Sequence, residues 1–331
     1  MALRSYNPVM PTNDPAQPNP ARGYVIALSA AAILSTTAIF IRHLSLAYHL
    51  PALVMAFWRD VFVVVTLMPL LGCCRRGLLR APRALLPYLS AYGFVLALFN
   101  VMWTLSVTIN GAAIATVLVY CSGAFTVFLA RLFLKERLSL AKLLATALCL
   151  AGCVLVSDAL HAETWRVNLL GILAGALSGL TYAAYSLLGR SASNRGLNPW
   201  TTLLYIFGFA SVFLFLFNLP PGGFLPGSAT RLADFLWLRA SLTGWGILFL
   251  LAAGPTVAGF GLYLVSLVHL PSSVANLVVS LEPAFTTLFA FLLLGERLGR
   301  VQVAGGLLIL SGVAILRIDE YFRSASTSSP A

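Results

Sequence analysis

The chain has 331 residues, of which 60% are hydrophobic and only 9% charged, with a mean hydropathy of +0.91. Soluble domains carry about 25% charged residues, so a water-facing globule is excluded, as is intrinsic disorder, which needs low hydrophobicity and high net charge. The formal charge of +11 sits mostly in short loops between apolar runs, which points to topology in a bilayer rather than to nucleic acid.

Residues 1–22 form a Pro- and Asn-rich leader, expected to be disordered. Beyond it the predicted elements are all membrane spans. A helix needs about 20 apolar residues to cross a core of about 30 Å. Ten such stretches follow, at 23–42, 51–71, 85–106, 112–133, 139–157, 168–188, 199–219, 243–267, 271–294 and 300–317. Each is expected to be helical, because open strands would leave backbone groups unpaired in lipid. The first is read as a retained helix, since a polar leader precedes it and no small-residue cleavage site follows. Residues 158–167 form a linker, 218–242 a long loop rich in Pro and Gly, and 318–331 a disordered Ser-rich tail.

Counting alternate connections from a cytoplasmic N-terminus, fourteen positive residues fall on the inner side, including Arg75, Arg76, Arg80, Arg83, Arg131, Lys135, Arg137, Lys142, Arg190 and Arg195. Six fall outside: Arg42, Arg166, Arg231, Arg239, Arg297 and Arg300. The bias predicts a multi-pass protein of a bacterial-type inner membrane with both termini cytoplasmic.

Enzymatic signatures are missing from the sequence: there is no Walker loop, no HExxH and no GxSxG. The five cysteines lack metal-ligand spacing, and His43, His49, His161 and His269 all fall at or near loops. Free thiols are expected, with no metal and no cofactor.

The chain repeats itself. Residues 130–138 (ARLFLKERL) align with 290–298 (AFLLLGERL) at a shift of 160, and Ala124-Phe125-Thr126 aligns with Ala284-Phe285-Thr286. A weaker shift of 148 pairs Gly23, Arg42 and Pro51 with Gly171, Arg190 and Pro199. The reading is two halves, 23–157 and 168–317, of five spans each. Five is odd, so the halves have inverted topology, an architecture common in secondary transporters.

These features resemble the EamA-type transporters of the drug/metabolite transporter superfamily. The resemblance rests on ten spans, the duplicated LKERLS and LGERLG segments, and the run SLEPAFTTLFAFLLLGERL at 280–298. It covers about 23–317 and implies an exporter or exchanger of amino acids or related small metabolites. The first half departs from the pattern: Ser122-Gly123 stands where the second half has Glu282-Pro283.

Three intramembrane charges are candidate functional groups, because charge in hydrocarbon is costly. Arg59 and Asp60 lie in the second span and Glu282 in the ninth. Neighbours on a helix point about 100° apart, so Arg59 and Asp60 need not pair; the structural alternative is a salt bridge to neighbouring helices. Glu282 suits reversible protonation during transport; its structural alternative is a hydrogen bond that locks packing. Ser35, Thr36, Asn100, Trp103, Tyr120, Tyr182, Tyr185, Tyr263, Asn276 and Ser280 are polar or aromatic groups at mid-span. Excluding Ser35 and Thr36, they are read with Glu282 as the lining of a substrate cavity, amides and hydroxyls orienting a zwitterion and aromatics holding its apolar part; interhelical bonding is the alternative.

Gly171, Gly175 and Gly179 form a packing face, and Trp58, Trp165, Trp200 and Trp245 an interfacial belt. Glu136 and Glu296 are expected to cap the helices that start just after them. The combined expectation is an all-α integral membrane protein with ten transmembrane helices in two inverted five-helix repeats. It would export a small organic metabolite, most simply an amino acid, by alternating access, with protons as a second partner. Facilitated passage of other metabolites or drugs, or a scaffold that moves nothing, are the competing readings.

Overall fold

The computed structural model describes residues 19–156, 169–219, 225–294 and 299–327. The linker 158–167, Trp165, Arg166 and the repeated Glu296-Arg297 lie outside them. Every regular element among the described residues is helical. In chain order these are α1 (Pro20–Ser35), α2 (Thr37–Tyr48), α3 (Ala52–Cys74), α4 (Leu86–Tyr120), α5 (Ser122–Phe133), α6 (Leu140–Val156) and α7 (Leu169–Asn194). They continue with α8 (Pro199–Asn218), α9 (Leu242–Leu251), a π-helical stretch Ala252–Phe260, α10 (Gly261–His269), α11 (Ser272–Val279), α12 (Glu282–Leu294) and α13 (Arg300–Thr327).

Among the described residues, seven helical stretches are long and apolar enough to cross a membrane: Pro20–Tyr48, Ala52–Cys74, Arg83–Val107, Leu169–Asn194, Pro199–Asn218, Leu242–His269 and Arg300–Asp319. Val117–Phe133 and Leu140–Val156 are shorter apolar helices. Apolar side chains face outward as well as inward: Leu132, Leu140, Leu242 and Leu307 are exposed, while Asp60, Ser122, Ser186 and Thr256 are fully buried within an otherwise apolar core. Only a lipid solvent rewards that arrangement, and the chain is an all-helical, multi-pass integral membrane protein.

Three boundaries differ from expectation. Helix α1 begins at Pro20, inside the expected leader, because the Asn19 side chain accepts the Arg22 amide and proline suits the first turn. Helix α13 continues to Thr327, through most of the expected tail, where neither Gly nor Pro occurs between residues 313 and 329. Helical turns also continue from Leu86 to Tyr120 through the connection expected near residues 107–111, although the apolar helices on either side end at Val107 and resume at Val117. This stretch is not one straight rod. A side chain at Gly175 would meet both Ser106 Oγ at 2.7 Å and Leu118 Cβ at 2.8 Å. A straight helix holds residues twelve apart about 18 Å from each other. The run therefore doubles back between them, where the sequence has Asn110-Gly111.

Cross-contacts fix how the helices run. Helix α3 is antiparallel to α8: the Asn218 amide donates to Leu53 O at 3.4 Å, and the Thr201 hydroxyl to Leu78 O at 2.8 Å. Helix α1 is antiparallel to α10 and the π-helical stretch, with Gly23 against Leu270 and Gly259 against Leu34. Helices α6 and α13 cross backbone to backbone, where Gly152 faces Gly305 and Gly312 faces Ala145. In the first half of α4, Tyr92 lies by Gly189 and Ser106 by Gly175, again antiparallel. These pairings gather the connections at 75–85, 134–139, 195–198 and 270–271 at one end, with the α1 N-terminus. The arginine-rich loops share that end.

Gly171 is buried, and Gly175 and Gly179 lie against Leu118. At Gly179 a Cβ would come within 2.8 Å of the Leu118 carbonyl oxygen, a backbone atom that cannot swing aside. Trp58 lies against the long loop. Its indole donates to Phe235 O at 2.6 Å and packs edge-on against Trp245, so it anchors the long loop between α8 and α9.

Substituting Gly179 with Val should wedge α7 from α4 and cost about 1–3 kcal/mol, the range for overpacking a filled interior. Ser178, which turns its hydroxyl onto Gly175 O, should tolerate Ala. Thermal melts of the two purified variants check the difference.

Candidate functional site

Two helix breaks set the site's position. Helix α4 gives way to α5 at Cys121, and α11 gives way to α12 at Ser280-Leu281. Under the 160-residue shift Cys121 corresponds to Leu281, so the breaks are equivalent in the two repeated segments. The second places Glu282 and Pro283 at the start of α12 rather than inside a helix. There proline is tolerated, because the first-turn amide needs no intrahelical acceptor. A carboxylate there meets the positive end of the helix dipole. Glu282 is half-buried, with Tyr120 near it.

Around these breaks the structure brings several candidate residues together. Tyr263 donates its hydroxyl to Ser186 Oγ at 2.7 Å, and the Asn276 side-chain amide reaches the same oxygen at 3.1 Å. Ser122 Oγ lies 3.4 Å from Asn276 Oδ1. The rings of Tyr182, Tyr185 and Tyr263 lie almost parallel, with interplanar angles of 7° to 20° and centroids about 6 Å apart. Phe99, Tyr92 and Phe260 close round them. Four helices, α5, α7, α10 and α11, therefore share one polar and aromatic knot.

A second polar group surrounds Arg59 in α3. Arg59 and Asp60 do pair, with Nε to Oδ1 at 3.4 Å, and Arg59 also donates to Asn100 Oδ1 at 2.9 Å. Asp60 is fully buried and Arg59 is 8% exposed. Asp60 Oδ2, Asn100 Nδ2 and the hydroxyls of Tyr92 and Tyr185 make no hydrogen bond. Each unmet buried polar atom costs about 1–3 kcal/mol, so the cluster presents donors and an acceptor suited to a polar guest.

Other candidates sit elsewhere. Ser280 turns its hydroxyl back to Asn276 O at 3.1 Å, and Trp103 packs half-buried against the apolar core. Ser35 and Thr36 mark the break between α1 and α2, and the Thr286 hydroxyl donates to Ser35 O, tying that break to α12. Ser186, Ser122 and Tyr92 were not singled out from the sequence. Ser186 had a signal, being four residues after Tyr182 on the same face of α7. An apolar cavity of about 210 Å3 beside Leu281, lined by Val156, Phe285, Val303 and Leu310, has no charged lining and stands apart from this chemistry.

At the arginine-rich end Glu136 forms a third cluster. Its carboxylate accepts the Ser272 amide at 2.9 Å and hydroxyl at 2.8 Å, and the Ser273 hydroxyl at 2.5 Å. Lys142 Nζ lies 3.4 Å away. Glu136 thus caps α11 of the other repeated segment, not α6, the helix that follows it. Sequence proximity favoured the wrong helix, because the chain folds the start of α11 back onto this loop.

With the geometry in place, comparison with known proteins identifies the lineage. The profile of the EamA-like transporter family matches residues 21–158 and again 169–318. The chain belongs to this family. An uncharacterized transporter of Archaeoglobus fulgidus is 27% identical over 290 residues, covering 86% of this chain and 93% of that one. A probable terminal-alkyne amino-acid exporter of Streptantibioticus cattleyicolor is 37% identical over only 51 residues, 15% of this chain and 17% of its own. A protein of known crystal structure superposes with a TM-score of 0.72 over 90% of this chain and 97% of its own, at 15% identity, a likeness of fold. This EamA-family transporter therefore lives in lipid and acts on a small molecule.

Burial pushes the Glu136 carboxyl up, but the Ser273 hydrogen bond, the Lys142 charge and the Ser272 bonds outweigh it and hold it below the ordinary 4.5. Its contribution to stability is then complete above pH 4.5 and fades as pH falls through the depressed titration. The Tm of the native transporter should exceed that of E136Q by a constant margin near neutrality, and the margin should close below about pH 4.5. Paired melts across that range test it.

Proposed function

We propose that the chain is a secondary exporter of a small zwitterion, most simply an amino acid, working by alternating access in a bacterial-type inner membrane. In this reading ten crossings form two inverted halves, 23–157 and 168–317, joined by the 158–167 linker, with both termini cytoplasmic. The duplicated family match supports the halves, and the opposed helix pairings support the alternation of crossings. The observation that carries the reading is the convergence of two equivalent helix breaks on one polar and aromatic knot. The start of α12 at the second break offers backbone groups and a dipole end to a substrate.

The proposed chemistry divides between two poles. Glu282, with Tyr120 near it, faces an ammonium group or takes the coupling proton. Asn276, Ser186 and the unmet atoms of Asn100 and Tyr185 orient a carboxylate or other polar group, with Arg59 held beside them. The parallel rings of Tyr182, Tyr185 and Tyr263 hold the apolar part. Binding across both halves gives the substrate a different affinity for each orientation of the halves, which is what moves the equilibrium.

Efflux of an isotope-labelled pool of amino acids and metabolites from proteoliposomes, followed by mass spectrometry, tests the function. Selective loss of a few zwitterions, faster with an imposed proton gradient, is expected. E282Q should retain the fold and lose the pH dependence of that flux; unchanged pH dependence in folded E282Q would overturn the proton role. Gradient-independent flux would make the protein a facilitator, and no selective loss from inserted protein would favour a scaffold. Single cysteines at positions 80 and 190 should be labelled from the cytoplasmic face, and periplasmic labelling would reverse the topology.

A further inference from the structure

Helix α11 is short, and all eight of its residues are buried. It carries Asn276 into the polar knot and ends one turn later beside Glu282. Its own N-terminus is chemically bare. The capping position is Pro271, which offers no side-chain acceptor, so the amides and hydroxyls of its first turn need a partner from elsewhere. Glu136 is that partner, and it belongs to the opposite half. Lys142, also from that half, donates to Ser273 Oγ at 2.8 Å.

The neighbouring helix end is held too. Arg190 donates to Leu267 O at 2.5 Å and Val268 O at 3.2 Å, the last carbonyls of α10. Only Leu270 and Pro271 connect α10 to α11, so the start of α11 has almost no slack. The arrangement is also one-sided in sequence. Under the 160-residue shift Ser272 and Ser273 correspond to Ala112 and Ala113, which have no hydroxyl to offer a carboxylate.

We propose that Glu136 is a positioning residue and latch at the arginine-rich end: by capping α11 it holds Asn276 in the site and keeps that end shut, and its release lets α11 move away from the first half. Opening at the arginine-rich end must break contacts between the halves there, and the charge-assisted ones include the Glu136 bonds, the Lys142 bond to Ser273 and the Ser139 bond to Asp319, with Glu136 making the most of them. Because α11 joins this latch to the site without an intervening break, displacing its N-terminus also displaces Asn276. The inference rests on the alternating-access reading above, but its test does not.

Cys153 is a built-in reporter. It is buried, and its Sγ lies 4.0 Å from Ser280 O at the end of α11. In a background with Cys73, Cys74, Cys121 and Cys149 replaced by Ala, a membrane-impermeant maleimide is applied to either face of sealed vesicles. E136Q, and separately the S272A/S273A pair, should speed labelling of Cys153 from the arginine-rich face about tenfold, the scale of one lost charge-assisted bond. Labelling from the opposite face should not change. Unaltered rates, or an equal rise from both faces, which marks a loosened fold, would overturn the latch. If the one-sided rise occurs and no substrate is moved, the transport reading fails and the latch stands. If flux occurs with unaltered labelling, the latch fails alone.

Discussion

Hydrocarbon offers no hydrogen bonds, and every other feature of this protein follows from that constraint. A soluble protein can leave a stray serine or asparagine to water; here one without a partner inside the bundle is costly. The polar residues therefore condense. Ser122, Ser186, Tyr263 and Asn276 share bonds across α5, α7, α10 and α11, while leucines face outward. Such bonds are individually modest in membranes, averaging about 0.6 kcal/mol. A knot of this kind can therefore exchange partners as helices move.

The two helix breaks are built differently. At Cys121 the i to i−4 bonds continue, from Cys121 N to Val117 O and from Phe125 N to Cys121 O, whereas at Ser280-Leu281 the ladder tightens to an i to i−3 bond from Leu281 N to Val278 O. Glu282 stands at the start of a new helix, where the dipole favours its charge. In the first half Ser122 occupies the equivalent position and turns to Asn276 instead. The duplicated architecture thus carries chemistry of unequal kind on its two sides, one acidic and one neutral. Arg59 with Asp60 and Asn100 supplies a separate charged group around the tyrosine stack.

The inequality extends to the ends of the bundle. Pro271 leaves α11 without a cap of its own, and Glu136 completes it from across the interface between the repeated segments. A contact of this kind joins elements 136 residues apart in sequence, so it reports the relative position of those segments rather than the stability of one helix.

Much of the architecture was legible from the residues alone. Composition and span length dictated a helical membrane protein, because transfer into lipid depends on local hydropathy summed over about 20 residues. The repeated Glu-Arg-Leu segments exposed the duplication, and intramembrane charge drew attention to Arg59, Asp60 and Glu282. What lay beyond reach was the choice of partner. Nothing local says that Arg59 pairs with Asp60, that Ser186 receives both Tyr263 and Asn276, or that Glu136 caps α11 instead of α6. The breaks at Cys121 and Ser280-Leu281 were hidden too, since neither holds a proline or glycine. Hydropathy is a property of each segment and is written in it. Partners are settled by which helices cross and at what height, and that depends on packing between residues tens to hundreds of positions apart.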